Sequence, residues 1–128
     1  LALPDVRPLP GWEPPKLGFG GKPAIDADLE HIARHEDKGL VVVRRTADGQ
    51  PVARLPPPGP GLDVEHTAFG LGGGLAVTYK IVGGPAGDAR CVVWNWPAAK
   101  ERFRLPFPVV GTALGFAPDG RQIAVGHT

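Results

Sequence analysis

The sequence contains no serine and no methionine, and it has one cysteine, Cys91. Serine and cysteine are the commonest hydrolase nucleophiles, and Cys91 lies in an apolar run that predicts a buried strand. A single cysteine also excludes an internal disulfide. These absences exclude the usual nucleophilic hydrolase chemistry, so we predict no catalytic residue and a chain that is not an enzyme.

A large net charge and long apolar runs are also missing. The formal net charge is +1, so attraction to nucleic acid is not expected. No apolar run reaches the roughly 18 residues of a membrane span, which predicts no membrane insertion of this segment. The N-terminus has neither an initiator methionine nor a signal-peptide pattern. We therefore expect a part of a longer protein, and the localisation stays undecided.

Glycine and proline are abundant, with 19 and 16 residues, and they cluster between short apolar runs. Such punctuation is typical of short strands joined by turns. Residues 1–21 are rich in proline without alternation, which predicts a lead-in segment or linker. Within it, Trp12 and Phe19 are expected to dock on the domain that follows.

An internal repeat is the most informative feature of the sequence. Two segments match without gaps at a separation of 50 positions. Five residues recur identically: Val42, Val43, Arg54, Leu55 and Pro56 return as Val92, Val93, Arg104, Leu105 and Pro106.

Each repeat unit is predicted to form four short strands. The third strands, from Leu40 to Val43 and from Cys91 to Trp94, are apolar on both faces, so both faces must be covered. Stacked four-stranded blades provide that cover. We therefore predict an all-β fold, a partial β-propeller of about two and a half antiparallel blades. It spans residues 22–128, in units of about 22–60, 61–108 and an incomplete 109–128.

Residues 26–37 also permit a helix, because Leu29, Ile32 and Ala33 fall at helical spacing. The same segment matches residues 116–120, where Pro118 and Gly120 disfavour a helix. The match favours strand, turn and strand.

A family resemblance supports the propeller prediction. Residues 116–126 read FAPDGRQIAVG, which resembles the first-to-second strand signature of WD-repeat propellers, and residues 91–96, CVVWNW, resemble the third strand. The resemblance implies that Trp94 packs between blades and that Asn95 replaces the usual aspartate. Arg44 and Arg45 stand where the earlier unit would carry its Trp-Asp pair, and the related periplasmic-type propellers with Pro-Asp-Gly turns remain an alternative.

The resemblance, taken together with the frequent use of alanine, glycine, proline and arginine, also implies a similarity to bacterial proteins in which such repeats follow a serine/threonine kinase domain. No kinase motif occurs in this sequence.

Several residue groups suggest chemistry and are better explained by structure. The glycine-rich run from Gly70 to Gly74 lacks the Lys-Ser/Thr of a phosphate loop and predicts a turn. The carboxylates of Asp26 and Asp28 are expected to bond the local backbone. The densest group of possible metal ligands is His31, His35, Glu36 and Asp37. Two histidines with neighbouring carboxylates are a weak signal for zinc, so we expect no metal, and instead exposed histidines followed by a polar turn.

Arginines recur in the predicted fourth strands, where edge charges discourage pairing with other chains. Arg54, Arg102 and Arg104 are therefore predicted to protect an edge rather than to contact nucleic acid.

The leading functional prediction is a non-catalytic scaffold that binds a protein or peptide partner, with no cofactor. One alternative is the regulatory or substrate-recruiting propeller portion of a multidomain enzyme, a kinase or a peptidase. Another is a β-sandwich that binds carbohydrate through stacking aromatics, namely Trp12, Trp94, Trp96 and Tyr79.

Overall fold

The computed structural model describes residues 23–81, 89–105, 113–119 and 121–126, and all regular structure in these ranges is β-strand. The first sheet has the order β1-β2-β3-β4, and all its neighbours are antiparallel. Its strands are β1 (Ala24–Ile25), β2 (His31–His35), β3 (Val41–Arg45) and β4 (Pro51–Leu55).

The second sheet repeats this order as β5-β6-β7-β8, again antiparallel throughout. Its strands are β5 (Leu62–Phe69), β6 (Gly74–Ile81), β7 (Ala89–Asn95) and β8 (Lys100–Arg104). A two-stranded hairpin follows, formed by β9 (Ala113–Phe116) and β10 (Ile123–Gly126). The all-β prediction is confirmed, and so is the four-stranded form of the first two sheets.

The helical alternative for residues 26–37 is wrong. Within that range β1 has ended, a turn reverses the chain and β2 begins. Leu29 has a φ of 59°, whereas a right-handed helix needs a φ near −60°. The turn at Leu29 therefore interrupts the helical spacing of the apolar residues.

The two sheets share one register, offset by the 50 positions of the sequence repeat. Val42 pairs with Arg54 across β3 and β4, and Val92 pairs with Arg104 across β7 and β8. The residues that recur identically in sequence thus occupy the same positions in the two sheets.

A β-bulge recurs at the same offset. The register shifts between Val43 and Arg44 in the first sheet and between Val93 and Trp94 in the second. A bulge inserts one unpaired residue and increases the local twist of its strand. The repeat therefore extends to an irregularity of the backbone, and the two sheets are copies of one structural unit.

The central strands are buried on both faces, as predicted. Val41, Val42 and Val43 are fully buried although successive side chains of a strand point to opposite sides. In the second sheet Val92 and Val93 are buried in the same way. Burial of each such side chain stabilises the fold by about 1.5–3 kcal/mol.

One hydrophobic cluster joins the two sheets. It takes alternate residues of the central strands and includes the Trp94 ring, as the family resemblance implied. Its members are Ala33, Val41, Val43, Leu55, Leu62, Val64, Leu75, Val77, Tyr79, Val92 and Trp94.

The sheets stack head-to-tail in this cluster. The first sheet contributes Val41 and Val43, whose counterparts 50 positions later are Cys91 and Val93. The second sheet does not present those counterparts to the cluster but uses the opposite face, which includes Val92. Unlike faces of two equivalent sheets are therefore in contact, which is a heterologous interface.

The first strands of the three units lie next to one another, since β5 contacts both β1 and β9. The arrangement is compatible with a propeller-like fragment, although the described residues close no ring. No helix in the described ranges has the length and apolar character needed to cross a membrane. The predicted lead-in segment with Trp12 and Phe19 lies outside the described residues, as does Pro106.

Candidate interaction surface at one end of the sheets

One end of the two sheets carries the turns that join first to second strands and third to fourth strands. We call it the Leu29/Leu71 end, after an exposed leucine on each of two turns. It consists of residues 26–30, 46–50, 70–73 and 96–99.

The turn between β1 and β2 is organised by the Asp26 carboxylate. Its Oδ1 accepts hydrogen bonds from the backbone N–H groups of Glu30, at 2.8 Å, and His31, at 3.1 Å. Its Oδ2 lies 2.8 Å from His31 Nδ1. Partial burial raises the pKa of Asp26, but the hydrogen bonds to His31 and Glu30 outweigh it, so the pKa lies below its ordinary value. The prediction that this carboxylate bonds the local backbone is confirmed.

The turns of each sheet are linked to one another in the same way. Thr46 donates its backbone N–H to the Glu30 carbonyl at 2.9 Å, and Trp96, its counterpart 50 positions later, donates to the Gly73 carbonyl at 3.0 Å. The Thr46 hydroxyl also donates to the Leu29 carbonyl at 2.6 Å. These bonds hold the turn backbones in place.

An aromatic cluster joins the two sheets at this end. The His31 ring of the first sheet lies against the Trp96 ring of the second, with centroids 4.7 Å apart and planes tilted by 54°. The Phe69 ring of the second sheet is nearly perpendicular to that of Trp96, with centroids 6.2 Å apart. Trp96 and Phe69 are partly buried against the inter-sheet cluster. The Leu29/Leu71 end is therefore continuous with the core.

Two leucines project from this end. Leu29 and Leu71 are 66% and 55% exposed, more than any other large hydrophobic residue that the structure describes. Asp28 and Glu30, on either side of Leu29, are also exposed. Among the described residues, neither carboxylate forms an ion pair. The surface combines apolar side chains with negative charge on rigid turns.

Comparison with known proteins adds no family to this picture. No protein-family model matches the chain, and no curated protein matches it either.

A second histidine lies at the opposite end of β2. His35 Nε2 is 3.1 Å from Asp63 Oδ1 in β5, and the same nitrogen accepts the Gly39 backbone N–H at 3.2 Å. Accepting from Gly39 needs an unprotonated Nε2, whereas a hydrogen bond to the carboxylate needs a protonated one. Since one nitrogen cannot accept and donate at once, the tautomer of the His35 ring decides which of the two contacts is a hydrogen bond.

The expectation of exposed histidines is wrong. The side chains of His31 and His35 are 22% and 10% exposed, because alternate residues of β2 face the second sheet. The two rings occupy opposite ends of a five-residue strand. Within the described ranges, no three His, Cys, Asp or Glu side chains gather as they would around a metal ion.

The glycine-rich run forms a turn, as predicted. β5 ends at Phe69 and β6 begins at Gly74, so the run connects two strands and precedes no helix. The Gly74 backbone N–H faces the Leu71 carbonyl at 3.4 Å. This turn is what projects Leu71.

The carbohydrate alternative loses two of its aromatics. Tyr79 and Trp94 lie in the cluster between the sheets and are buried, so neither ring can stack on a sugar. Trp96 is partly buried against the same cluster, and Trp12 lies outside the described residues.

The arginines of the fourth strands lie at sheet edges, as predicted. β4 and β8 are edge strands, and Arg54, Arg102 and Arg104 are exposed. Arg104 forms two hydrogen bonds with Glu101, each 2.8 Å long. Arg102 donates to the Gly72 carbonyl at 2.7 Å, which brings positive charge next to Leu71.

The sequence did not predict the exposure of Leu29 and Leu71. Leu29 fits a helical spacing and Leu71 stands in a glycine-rich run, and neither pattern indicates an apolar surface. A large aliphatic residue between turn-forming residues was the available signal, since turns place side chains at the surface.

Proposed function

We propose that the chain is a non-catalytic scaffold that binds a protein or peptide, and that it is part of a larger β-propeller of WD-repeat-like units. The head-to-tail stacking of two equivalent sheets carries the proposal. A heterologous interface can be repeated by further units, and blades around a common axis are stacked in this way.

The position of the third unit also supports the proposal of a larger β-propeller. β9 contacts β5, just as β5 contacts β1. The Phe116 ring lies so close to Gly70 that an added Cβ would be 2.7 Å from it. The hairpin thus continues the series of first strands.

The turns at the ends of the two stacked sheets support a scaffold role. Core side chains hold the sheets rigidly, while the turns are fixed by backbone hydrogen bonds and carry exposed apolar side chains. Rigid turns on a packed scaffold are common binding surfaces because little conformational entropy is lost when a partner binds.

The test is selection of peptides from a displayed random library on the purified chain, followed by calorimetry of individual peptides. We expect saturable binding with one peptide per chain. Selection on an acid-unfolded sample of the same chain is the control. Enriched peptides that fail to bind saturably, or that bind the unfolded sample equally, would contradict a scaffold role.

A further inference from the structure

Three features of the Leu29/Leu71 end together specify a kind of partner. Leu29 and Leu71 are exposed on neighbouring units, Asp28 and Glu30 place negative charge beside Leu29, and Arg102 places positive charge beside Leu71.

Among the residues that the structure describes, no packing contact explains the exposure of Leu29. Its side chain is outside the hydrophobic cluster, and its φ of 59° is one that asparagine or glycine adopts at lower cost. A leucine here therefore adds no core packing and adopts an unfavourable backbone conformation. Apolar contact with a partner would explain the residue.

The charged side chains at this end indicate which charge the partner carries and where it lies. Asp28 and Glu30 are exposed, and within the described part of the chain no basic side chain pairs with them. They would attract a lysine or arginine and repel phosphate groups, which argues against nucleic acid. Arg102 disfavours a second basic residue at the Leu71 side, so the charges also set a direction.

We infer that the Leu29/Leu71 end binds a short extended segment of another protein, in which a lysine or arginine stands next to large aliphatic residues. The aliphatic side chains contact Leu29 and Leu71 on either side of the junction at Trp96, and the basic group lies beside Asp28 and Glu30. This inference rests on the proposed scaffold function and names its surface and partner.

The test uses a hexapeptide with one basic residue, Gly-Lys-Leu-Gly-Leu-Gly, with a neutral fluorophore, and its charge-reversed twin, in which glutamate replaces lysine. Fluorescence anisotropy with the full chain should show saturable binding of the basic probe. We expect the charge-reversed probe to bind about tenfold more weakly at low salt, and the difference to shrink as salt is added.

Substitutions test whether the probe binds at the Leu29/Leu71 end. Leu29→Asn introduces a residue that tolerates positive φ, so the turn should be retained while the apolar side chain is lost, and binding of the basic probe should weaken about tenfold. The pair Asp28→Asn with Glu30→Gln should weaken it about fivefold. Val52→Thr, on β4, and Asp37→Asn, in the β2–β3 turn, are matched controls that should leave binding unchanged.

Three results would overturn the inference: equal binding of the two probes, equal binding by the Leu29→Asn variant, or self-association of the chain through this end in sedimentation. If library-selected peptides bind the chain but ignore Leu29 and Asp28, the scaffold function stands and this surface is wrong. If no peptide binds at all, both proposals fail.

Discussion

Polar atoms without partners stand out at the scale of single residues. Within the described part of the chain, the Tyr79 hydroxyl and the Trp94 indole nitrogen are buried and neither makes a hydrogen bond of normal geometry. The two groups are nevertheless close enough for Trp94 to lower the pKa of Tyr79 against the larger, opposite effect of burial. An unsatisfied buried polar group costs about 1–3 kcal/mol. The inter-sheet core therefore contains a specific source of instability, and its effect depends on pH.

Tyr79→Phe should stabilise the protein at neutral pH by up to about 1 kcal/mol, because it removes an unpaired hydroxyl without removing the ring. Equilibrium unfolding in urea measures the change. A loss of more than about 1 kcal/mol would indicate a hydrogen bond that this structure does not contain.

Alkaline pH should destabilise the wild-type chain through the same residue. Burial raises the pKa of Tyr79 to about 12, above the value in the unfolded chain. The contribution of Tyr79 to stability is complete below about pH 10 and falls by about 2–3 kcal/mol as pH rises to 12. Burial also raises the pKa of Cys91, to about 11, so part of the loss should persist in Tyr79→Phe. Since the sequence has one tyrosine, absorbance of the phenolate at alkaline pH reports Tyr79 alone.

Acid should weaken the β1–β2 turn through Asp26. The hydrogen bonds to His31 and Glu30 hold the pKa of this carboxyl below its ordinary value, so their stabilisation is present above about pH 4 and is lost as pH falls further. We expect Asp26→Asn to cost about 1 kcal/mol at pH 7 and almost nothing at pH 2. Urea unfolding at both pH values measures this, with Asp28→Asn as the control. Equal costs at the two pH values would assign the effect to shape rather than charge.

At the scale of elements, the turns differ in how closely they approach a neighbouring strand. Gly39, in the β2–β3 turn, has a φ of 80°, and a Cβ there would lie 2.5 Å from the Leu62 carbonyl oxygen of β5. Gly49, in the β3–β4 turn, has a φ of 71° and nothing within 4 Å. The first glycine is needed for backbone conformation and for space, the second for conformation alone.

Alanine at these two glycines should separate the two requirements. Gly49→Ala should cost about 1 kcal/mol through its positive φ. Gly39→Ala should cost a further 1–3 kcal/mol, roughly, because the β2–β3 turn must move away from β5. Thermal unfolding of the two variants measures the difference, and equal costs would mean that the turn can move freely.

Local residue patterns were enough to predict the strands and turns. Turn residues such as Asp48 and Gly49, and the repeated Val42-Val43 pair, act within a few positions of the chain, so the sequence carries their effect directly. The burial of His31 and His35 was missed because it depends on which face of β2 meets the second sheet. That is a contact between residues distant in sequence, and neither periodicity nor composition encodes it.

At the scale of the whole molecule, the contact between the His31 and Trp96 rings allows the coupling between the two sheets to be measured. His31 and Trp96 belong to different sheets, and their rings are 4.7 Å apart. Coupling between two aromatic rings in contact is about 0.5–1.5 kcal/mol.

A double-mutant cycle with His31→Ala and Trp96→Ala should give a coupling energy in that range, about 0.5–1.5 kcal/mol. His31→Ala combined with Phe103→Ala, on exposed β8, should be additive within about 0.5 kcal/mol. Urea unfolding gives both values. Additivity in the first cycle would show that the contact between His31 and Trp96 does not help to hold the two sheets together.

The contact of unlike faces gives the molecule a polarity. A dimer with a twofold axis brings a surface against its own copy, whereas here a face of one sheet meets the reverse face of its equivalent. Any further layer that uses the same contact must enter with the same orientation as the one before it. Growth of the stack is therefore directional. A pair related by a twofold axis cannot form through this contact and would require a different interface.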